Sequence, residues 1–284
     1  MTERRLVSLP DGRTLDVADT GTTTAGGGDV VVFHNGSPHT GALLDPLVEI
    51  ATTRGLRLVT YARPSYGGST PRPGRTVADA AGDVEAIADA LGIGRFLTFG
   101  ASGGGPHALA CAALLPDRVS GVATFASPAP DAADIDWLAG MHAPGALTAA
   151  RAGRDARARF AETDAFDEAI FTPADWAALA GPWGAVGRDA GAADATGPDG
   201  LIDDDVAFAM PWGFDLQAIR CPAILVQGSE DRVIPRQHGE WLARRIPGAE
   251  LWLREGAGHV SVMDAIPEAL DRLRADAGQP RQSG

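Results

Sequence analysis

From Val30 onward, short apolar runs alternate with longer helix-like segments, and that rhythm restricts the fold more than any other feature. The runs fall at 30–33, 56–61, 95–99, 121–125, 223–227 and 250–254. A short, largely apolar run suits a strand buried on both faces, as strands are in a parallel sheet covered by helices. The segments between them, at 41–53, 77–91, 106–115, 237–245 and 267–277, have the length and pattern of those helices. The expected class is therefore α/β, built on a mostly parallel sheet. Ahead of it, 5–10 and 14–19 flank Asp11-Gly12, a turn dipeptide between alternating stretches, so the chain should open with an antiparallel hairpin.

The rhythm breaks between 131 and 214. Alanine, glycine and aspartate dominate there, four of the six tryptophans fall in it (Trp137, Trp176, Trp183, Trp212), and 15 Asp/Glu stand against 5 Arg. This stretch reads as a helical insertion into a core made of 1–130 and 215–284, and its acidity as solvated surface charge. The whole chain of 284 residues carries a formal charge of -13, which repels phosphate backbones and anionic lipid, so neither nucleic acid nor a membrane is an expected partner. No apolar run approaches the roughly 20 residues of a membrane span. The opening Met1-Thr2-Glu3-Arg4-Arg5 leads into no apolar signal segment, so the expected location is cytoplasmic. Cys111 and Cys221 lie far apart in apolar surroundings and read as reduced core thiols. The tail 278–284 is polar and expected to fray. The chain has no lysine and is rich in alanine, glycine and arginine, a bias of GC-rich bacterial genomes.

Chemistry is concentrated at Gly100-Ala101-Ser102-Gly103-Gly104, a G-x-S-x-G pattern between an expected strand and an expected helix. A serine on so sharp a turn needs small neighbours, because the backbones there pack closely and the serine adopts a strained conformation. The following helix N-terminus would turn its free N–H groups toward the place where an oxyanion forms. A hydroxyl is a weak nucleophile, so a base must take its proton and a carboxylate must orient that base. Asp231, just past the run at 223–227, and His259, just past 250–254, supply both in the order Ser, Asp, His. Asp131 is a rival acid, but Pro128-Ala129-Pro130 before it leads out into the insertion.

Together these residues resemble a serine hydrolase of the α/β-hydrolase fold with a cap domain. The resemblance spans about 30–277 and implies an eight-stranded sheet with a helical cap after the sixth strand. It also implies an oxyanion hole made by the N–H groups of Gly103 and Ser37. The loop His34-Asn35-Gly36-Ser37-Pro38 is similar to the family's H-G-x-P pattern, departing from it in having Asn35 where histidine is usual. Arg63-Pro64-Ser65-Tyr66-Gly67-Gly68-Ser69 is similar to a family loop of the Pro-Gly-x-Gly-x-Ser kind, with Ser65 where glycine is common, and reads as the pocket floor.

The expected activity is hydrolysis of a small carboxylic ester or lactone through an acyl-enzyme, carboxylesterase-like and without a cofactor. Ser102, Asp231 and His259 are the catalytic candidates, Ser37 and Gly103 the oxyanion donors, and His34, Asn35, Trp137, Trp183 and Trp212 the substrate-contacting candidates. For most of the insertion's aromatics, a place in its own core is the stronger reading. His39, His107, His142 and His238 fit no metal spacing and read as structural histidines. Serine at the nucleophile position argues against a dehalogenase or epoxide hydrolase, which would need aspartate there. An iminopeptidase-like aminopeptidase, a C–C bond hydrolase, a cofactor-free haloperoxidase and a non-catalytic ligand-binding homologue remain alternatives.

Overall fold

The computed structural model describes residues 3–21, 29–131 and 134–277, so the tail 278–284 lies outside the described residues. Eight strands form one sheet: β1 (Glu3–Ser8), β2 (Thr14–Asp19), β3 (Val30–His34), β4 (Arg57–Tyr61), β5 (Phe96–Ala101), β6 (Val119–Phe125), β7 (Ala223–Gly228) and β8 (Glu250–Arg254). Their order is β1-β2-β4-β3-β5-β6-β7-β8. β1 and β2 pair antiparallel from Glu3↔Asp19 to Ser8↔Thr14, as a turn at Asp11-Gly12 requires, and β2 meets β4 antiparallel. All later pairings are parallel.

The parallel strands other than the edge strand β8 are largely buried on both faces, and their side chains sort by period two. Val31, Phe33, Leu97 and Phe99 enter one core layer, while Val32 and Phe96 enter the other. The first layer lies under α1 (Asp45–Thr53) and α10 (Ile266–Ala277). The second lies under α2 (Asp79–Ala90), α3 (Gly104–Leu114) and α9 (Gln237–Arg245). From β3 the chain steps outward to β4, then crosses back to β5 on the other side of β3. That reversal opens a crevice at the carboxyl ends of β3 and β5, the position where open α/β sheets bind ligands.

Between β6 and β7 the chain forms α4 (Gly145–Ala150), α5 (Arg154–Ala161), α6 (Pro173–Ala180), α7 (Gly184–Asp194) and α8 (Asp199–Ala209). The acidity of this stretch is not simply solvated, contrary to expectation. Asp175, Asp189, Asp203, Asp204 and Asp205 are buried, and each is paired. Asp203 accepts from Arg154 Nε at 2.8 Å, Asp204 from Arg63 and Arg75, and Asp205 from Arg157 Nε at 2.7 Å. Arg154 and Arg157 come from the same stretch and Arg63 and Arg75 from the chain before β5, so part of a charge run that looks like a wet surface is a set of buried contacts within 131–214 and from it to the loops of the sheet. Cys111 and Cys221 are buried and take part in no disulfide. Among the described residues no helix is long and apolar enough to cross a membrane.

Candidate active site

β5 carries the chain into the crevice and ends at Ala101. Ser102 follows with φ of +50°, a left-handed conformation that a non-glycine residue adopts only under constraint. Its N–H donates to the Phe125 carbonyl at 2.7 Å and its carbonyl accepts from Gly105 N–H at 2.9 Å, which closes the turn. α3 begins at Gly104, two residues before the expected start; Pro106 sits inside its first turn, where proline's fixed φ and missing N–H do no harm. Side chains at Gly100 and Gly104 would strike the Gly104 and His34 carbonyls respectively, so the elbow closes only with glycine at both.

The loop after β3 lies beside this elbow because His34 pairs with Gly100 across the two strands. Beneath it runs Arg63, a buried guanidinium that donates to the carbonyls of Asn35 and of Gly36, the latter at 2.7 Å, and to Ser37 Oγ at 2.9 Å. With both carbonyls turned to Arg63, the loop presents its N–H groups on the other side. A Cβ on Gly103 would sit 2.5 Å from Ser37 Oγ, which shows how closely the two segments meet. Neither the Ser37 nor the Gly103 N–H enters a hydrogen bond found among the described residues.

Arg63 is held in turn by Asp204 of α8. This carboxylate, fully buried, accepts from Arg63 Nη2 at 2.5 Å, Arg75 Nη2 at 2.7 Å, Tyr66 Oη at 2.9 Å and Ser37 Oγ at 2.5 Å. Burial alone would raise its pKa, but the two guanidinium charges outweigh that and hold it well below the usual carboxylate range. Ser65 has φ of +74°, as its place at a family glycine position implies, and its hydroxyl reaches Asp203 at 2.7 Å.

Asp231 follows β7 and His259 follows β8. The buried Asp231 carboxylate accepts from the Val233 and Ile234 N–H groups, both at 2.9 Å, and from Gln227 Nε2 at 3.2 Å. His259 Nδ1 lies 2.9 Å from its Oδ2. An ionised carboxylate only accepts, so Nδ1 carries the proton and Nε2 keeps the free lone pair. Burial, the largest influence, pulls the His259 pKa down, but the charge and hydrogen bond of Asp231, assisted by Asp175, leave it above 6.5. No hydrogen bond joins Ser102 to His259 in this structure.

Asp175 is a residue that the sequence did not single out. Buried on α6, it accepts from the N–H groups of Val260 (2.8 Å) and Ser261 (2.9 Å) and from Ser261 Oγ (3.0 Å), so α6 fixes the histidine loop. Its local signal was the Thr172-Pro173-Ala174-Asp175 capping box; its partners lie about 85 residues downstream.

A cavity of about 210 Å³ opens onto Ser37, Ser102 and Gly103. None of the five substrate-contacting candidates lines it. His34 and Asn35 are buried beneath the loop, the Asn35 amide donating to Thr60 Oγ1 at 2.6 Å. The indoles of Trp137, Trp183 and Trp212 are buried and donate to Ala129 O, Asp264 Oδ1 and Phe208 O. Trp137 and Trp212 pack into one of the core layers that flank the sheet and Trp183 into the other, rather than over the cavity. The walls are smaller residues, among them Met141, Leu147, Ile170 and Phe208, with Arg157, Asp164, Asp205 and Arg232 as the polar part.

The remaining histidines pack structurally. His107 Nδ1 meets the Gly103 carbonyl at 2.8 Å, and burial drives its pKa down to about 3. His39 pairs with Asp189, His142 with Asp167, and His238 accepts from Ala129 N–H. Among the described residues no group of three His, Cys, Asp or Glu is placed to hold a metal ion. Asp131 pairs with Arg151 rather than with His259.

The structure is similar to solved structures that share its fold at low identity. A thermophilic esterase from Thermogutta terrifontis superposes with a TM-score of 0.70 at 21% identity, covering 98% of this chain and 100% of that one. The enol-lactonase of Burkholderia xenovorans LB400 gives 0.71 at 22% identity, covering 95% and 100%. A bromoperoxidase from Bacillus anthracis gives 0.71 at 20% identity, covering 96% and 100%. Neighbours so distant and so varied speak to architecture, not to a reaction. No curated protein matches the sequence. The family described as alpha/beta hydrolase fold matches residues 29–266, which hold six of the eight strands and the serine turn, and the chain belongs to that family.

Proposed function

We propose that the protein is a serine hydrolase of small carboxylic esters or lactones. The observation that carries this reading is the contact between His259 and the buried Asp231 carboxylate, 2.9 Å apart, at the same edge of the sheet as a serine on a strained elbow. Ser102 Oγ attacks the carbonyl carbon while His259 Nε2 takes its proton, and Asp231 stabilises the imidazolium that results. The negative oxygen of the tetrahedral intermediate receives the N–H groups of Gly103 and Ser37. His259 returns the proton to the leaving alcohol, and water then attacks the acyl-enzyme by the same route to release the acid. Residues 131–214 act as the cap, with Asp175 steadying the histidine loop and Asp204 the loop beside Ser37. The cavity lies below the roughly 300–1,000 Å³ of drug-sized sites, which suits a small substrate. Its acidic residues are matched by Arg157 and Arg232, so the pocket offers no net negative charge for a substrate amine and the aminopeptidase alternative loses its argument. The test is hydrolysis of 4-nitrophenyl acetate and butyrate by the wild type and by Ser102→Ala. Turnover lost with the hydroxyl supports the proposal; equal turnover in both proteins refutes it.

A further inference from the structure

One face of α8 forms a wall of the cavity. Leu201, Asp205 and Phe208 all line it, at spacings of four and three that bring them to the same side of the helix. Phe208 stands at the serine elbow. A Cβ built on Gly103 would lie 2.9 Å from its Cζ and 3.1 Å from its Cε2, so the edge of this ring is packed against one of the two residues whose N–H groups receive the oxyanion in the reading above. The ring is buried and edge-on to that of His107 on α3, with 5.8 Å between centroids. Trp212 Nε1 donates to the Phe208 carbonyl at 3.3 Å, and α8 itself is pinned where Asp204 takes Arg63, Arg75, Tyr66 and Ser37. In a close-packed interior, a ring held in this way does not give way to a bulky substrate unless α8 moves.

The chemistry decides which part of a substrate meets the ring. When Ser102 attacks, the carbonyl oxygen turns to Gly103 and Ser37, and the leaving oxygen must reach His259 to take its proton. Ser37, Ser102 and Gly103 line the cavity, whereas His259 is not among the described residues that do, and its loop is held by α6 rather than α8. The leaving group therefore departs on the histidine side and the acyl group enters the cavity, with Phe208 beside the carbon next to the carbonyl. We infer that Phe208 is a specificity-determining residue that excludes acyl groups branched at that carbon, so that the substrate is an ester of an acid unbranched there. This deepens the serine-hydrolase reading and rests on it for the orientation of the substrate.

The experiment compares two ester series in wild type and Phe208→Ala. 4-Nitrophenyl butyrate, isobutyrate and pivalate vary the acyl group with the leaving group held constant, and methyl, isopropyl and tert-butyl butyrate vary the alcohol. The readout is the change in each kcat/KM ratio between the two proteins, in which the intrinsic reactivity of the esters cancels. The preference for butyrate over isobutyrate should fall about tenfold or more in Phe208→Ala, the scale on which an apolar pocket senses one carbon, and the ratios of the alcohol series should not move. Should Phe208→Ala not fold, Phe208→Leu keeps an apolar side chain, removes the ring, and should shift the acyl ratio in the same direction. An acyl ratio unchanged in the folded variant, or a change confined to the alcohol series, overturns the inference. Ser102→Ala is assayed alongside. If it hydrolyses the acyl series as wild type does, the serine-hydrolase reading fails, and Phe208 is then judged on binding alone, by ligand-detected NMR of methyl butyrate and methyl isobutyrate with Ser102→Ala and with Ser102→Ala/Phe208→Ala. A preference for butyrate that disappears with the ring supports the inference; the same relative binding in both proteins overturns it.

Discussion

Replacing Asp204 with asparagine should damage both stability and catalysis, because this carboxylate joins α8 to the loop beside Ser102. It receives four side chains, Arg63, Arg75, Tyr66 and Ser37, and is fully buried. The amide keeps the shape but leaves two buried guanidinium groups without their shared counter-charge; breaking such a pair costs about 3–5 kcal/mol. A domain of this size unfolds with an entropy near 0.6 kcal/mol per kelvin, from about 2.1 cal/mol/K per residue, so Tm should fall by roughly 5–8 °C. Arg63 also fixes the Asn35 and Gly36 carbonyls, so the Ser37 N–H loses its aim. Loss of one oxyanion donor is worth about 10²–10³ in kcat, and a displaced donor should lose about tenfold or more with KM little changed. The assay pairs scanning calorimetry with ester kinetics, using Asp203→Asn as the control. Asp203 binds Ser65 and Arg154 but does not touch Ser37, so its loss should lower Tm while sparing kcat. An Asp204→Asn enzyme with wild-type kcat, or a kcat loss equal to that of Asp203→Asn, would refute the reasoning.

Other outcomes follow from the same geometry. His259 holds its proton more tightly than a free imidazole, so kcat/KM should fall as pH drops through a value above 6.5. For stability the sign is opposite: a raised folded pKa favours the folded state fully below 6.5, and that contribution is lost as pH rises through the folded value. Asp231→Asn removes the larger influences that raise the pKa, leaving Asp175 against burial, so the acid limb of the pH–rate profile should move to lower pH while the plateau falls about 10⁴-fold; an unmoved limb counts against the pairing. Gly103→Ala would push a methyl against Ser37 Oγ, 2.5 Å away, and Phe208, 2.9 Å away, and should lower kcat by about 10²–10³ if it crowds the oxyanion site. Kinetics of the folded variant decide this, and unchanged turnover would remove Gly103 from that site.

The sheet was legible because its strands are short apolar runs with sharp ends, and β7, β8 and α9 lie within one residue of where the sequence puts them. The positions of Ser102, Asp231 and His259 were legible for the same reason: each follows a strand that the local pattern defines. The elbow boundary was less so, since β5 continues through Ala101 and α3 starts at Gly104, where backbone packing rather than apolar pattern sets the limits. What escaped depends on distant partners. Asp203, Asp204 and Asp205 look like solvated charge until Arg63, Arg75, Arg154 and Arg157 are brought against them, Arg63 from 141 positions away. Asp175 is visible in sequence only as a helix cap, and its grip on Val260 and Ser261 is a product of the fold. Trp137, Trp183 and Trp212 could equally be lid or core by composition, and only packing decides for core.

The most direct test of the account is the intact mass, followed by peptide mapping, of wild type and Ser102→Ala after treatment with a fluorophosphonate. That probe requires an activated serine and little substrate fit. A single stoichiometric adduct on Ser102, absent from Ser102→Ala, is the predicted result. Folded wild-type protein that stays unlabelled, or is labelled equally after Ser102 is removed, would contradict the assignment of Ser102 as the nucleophile.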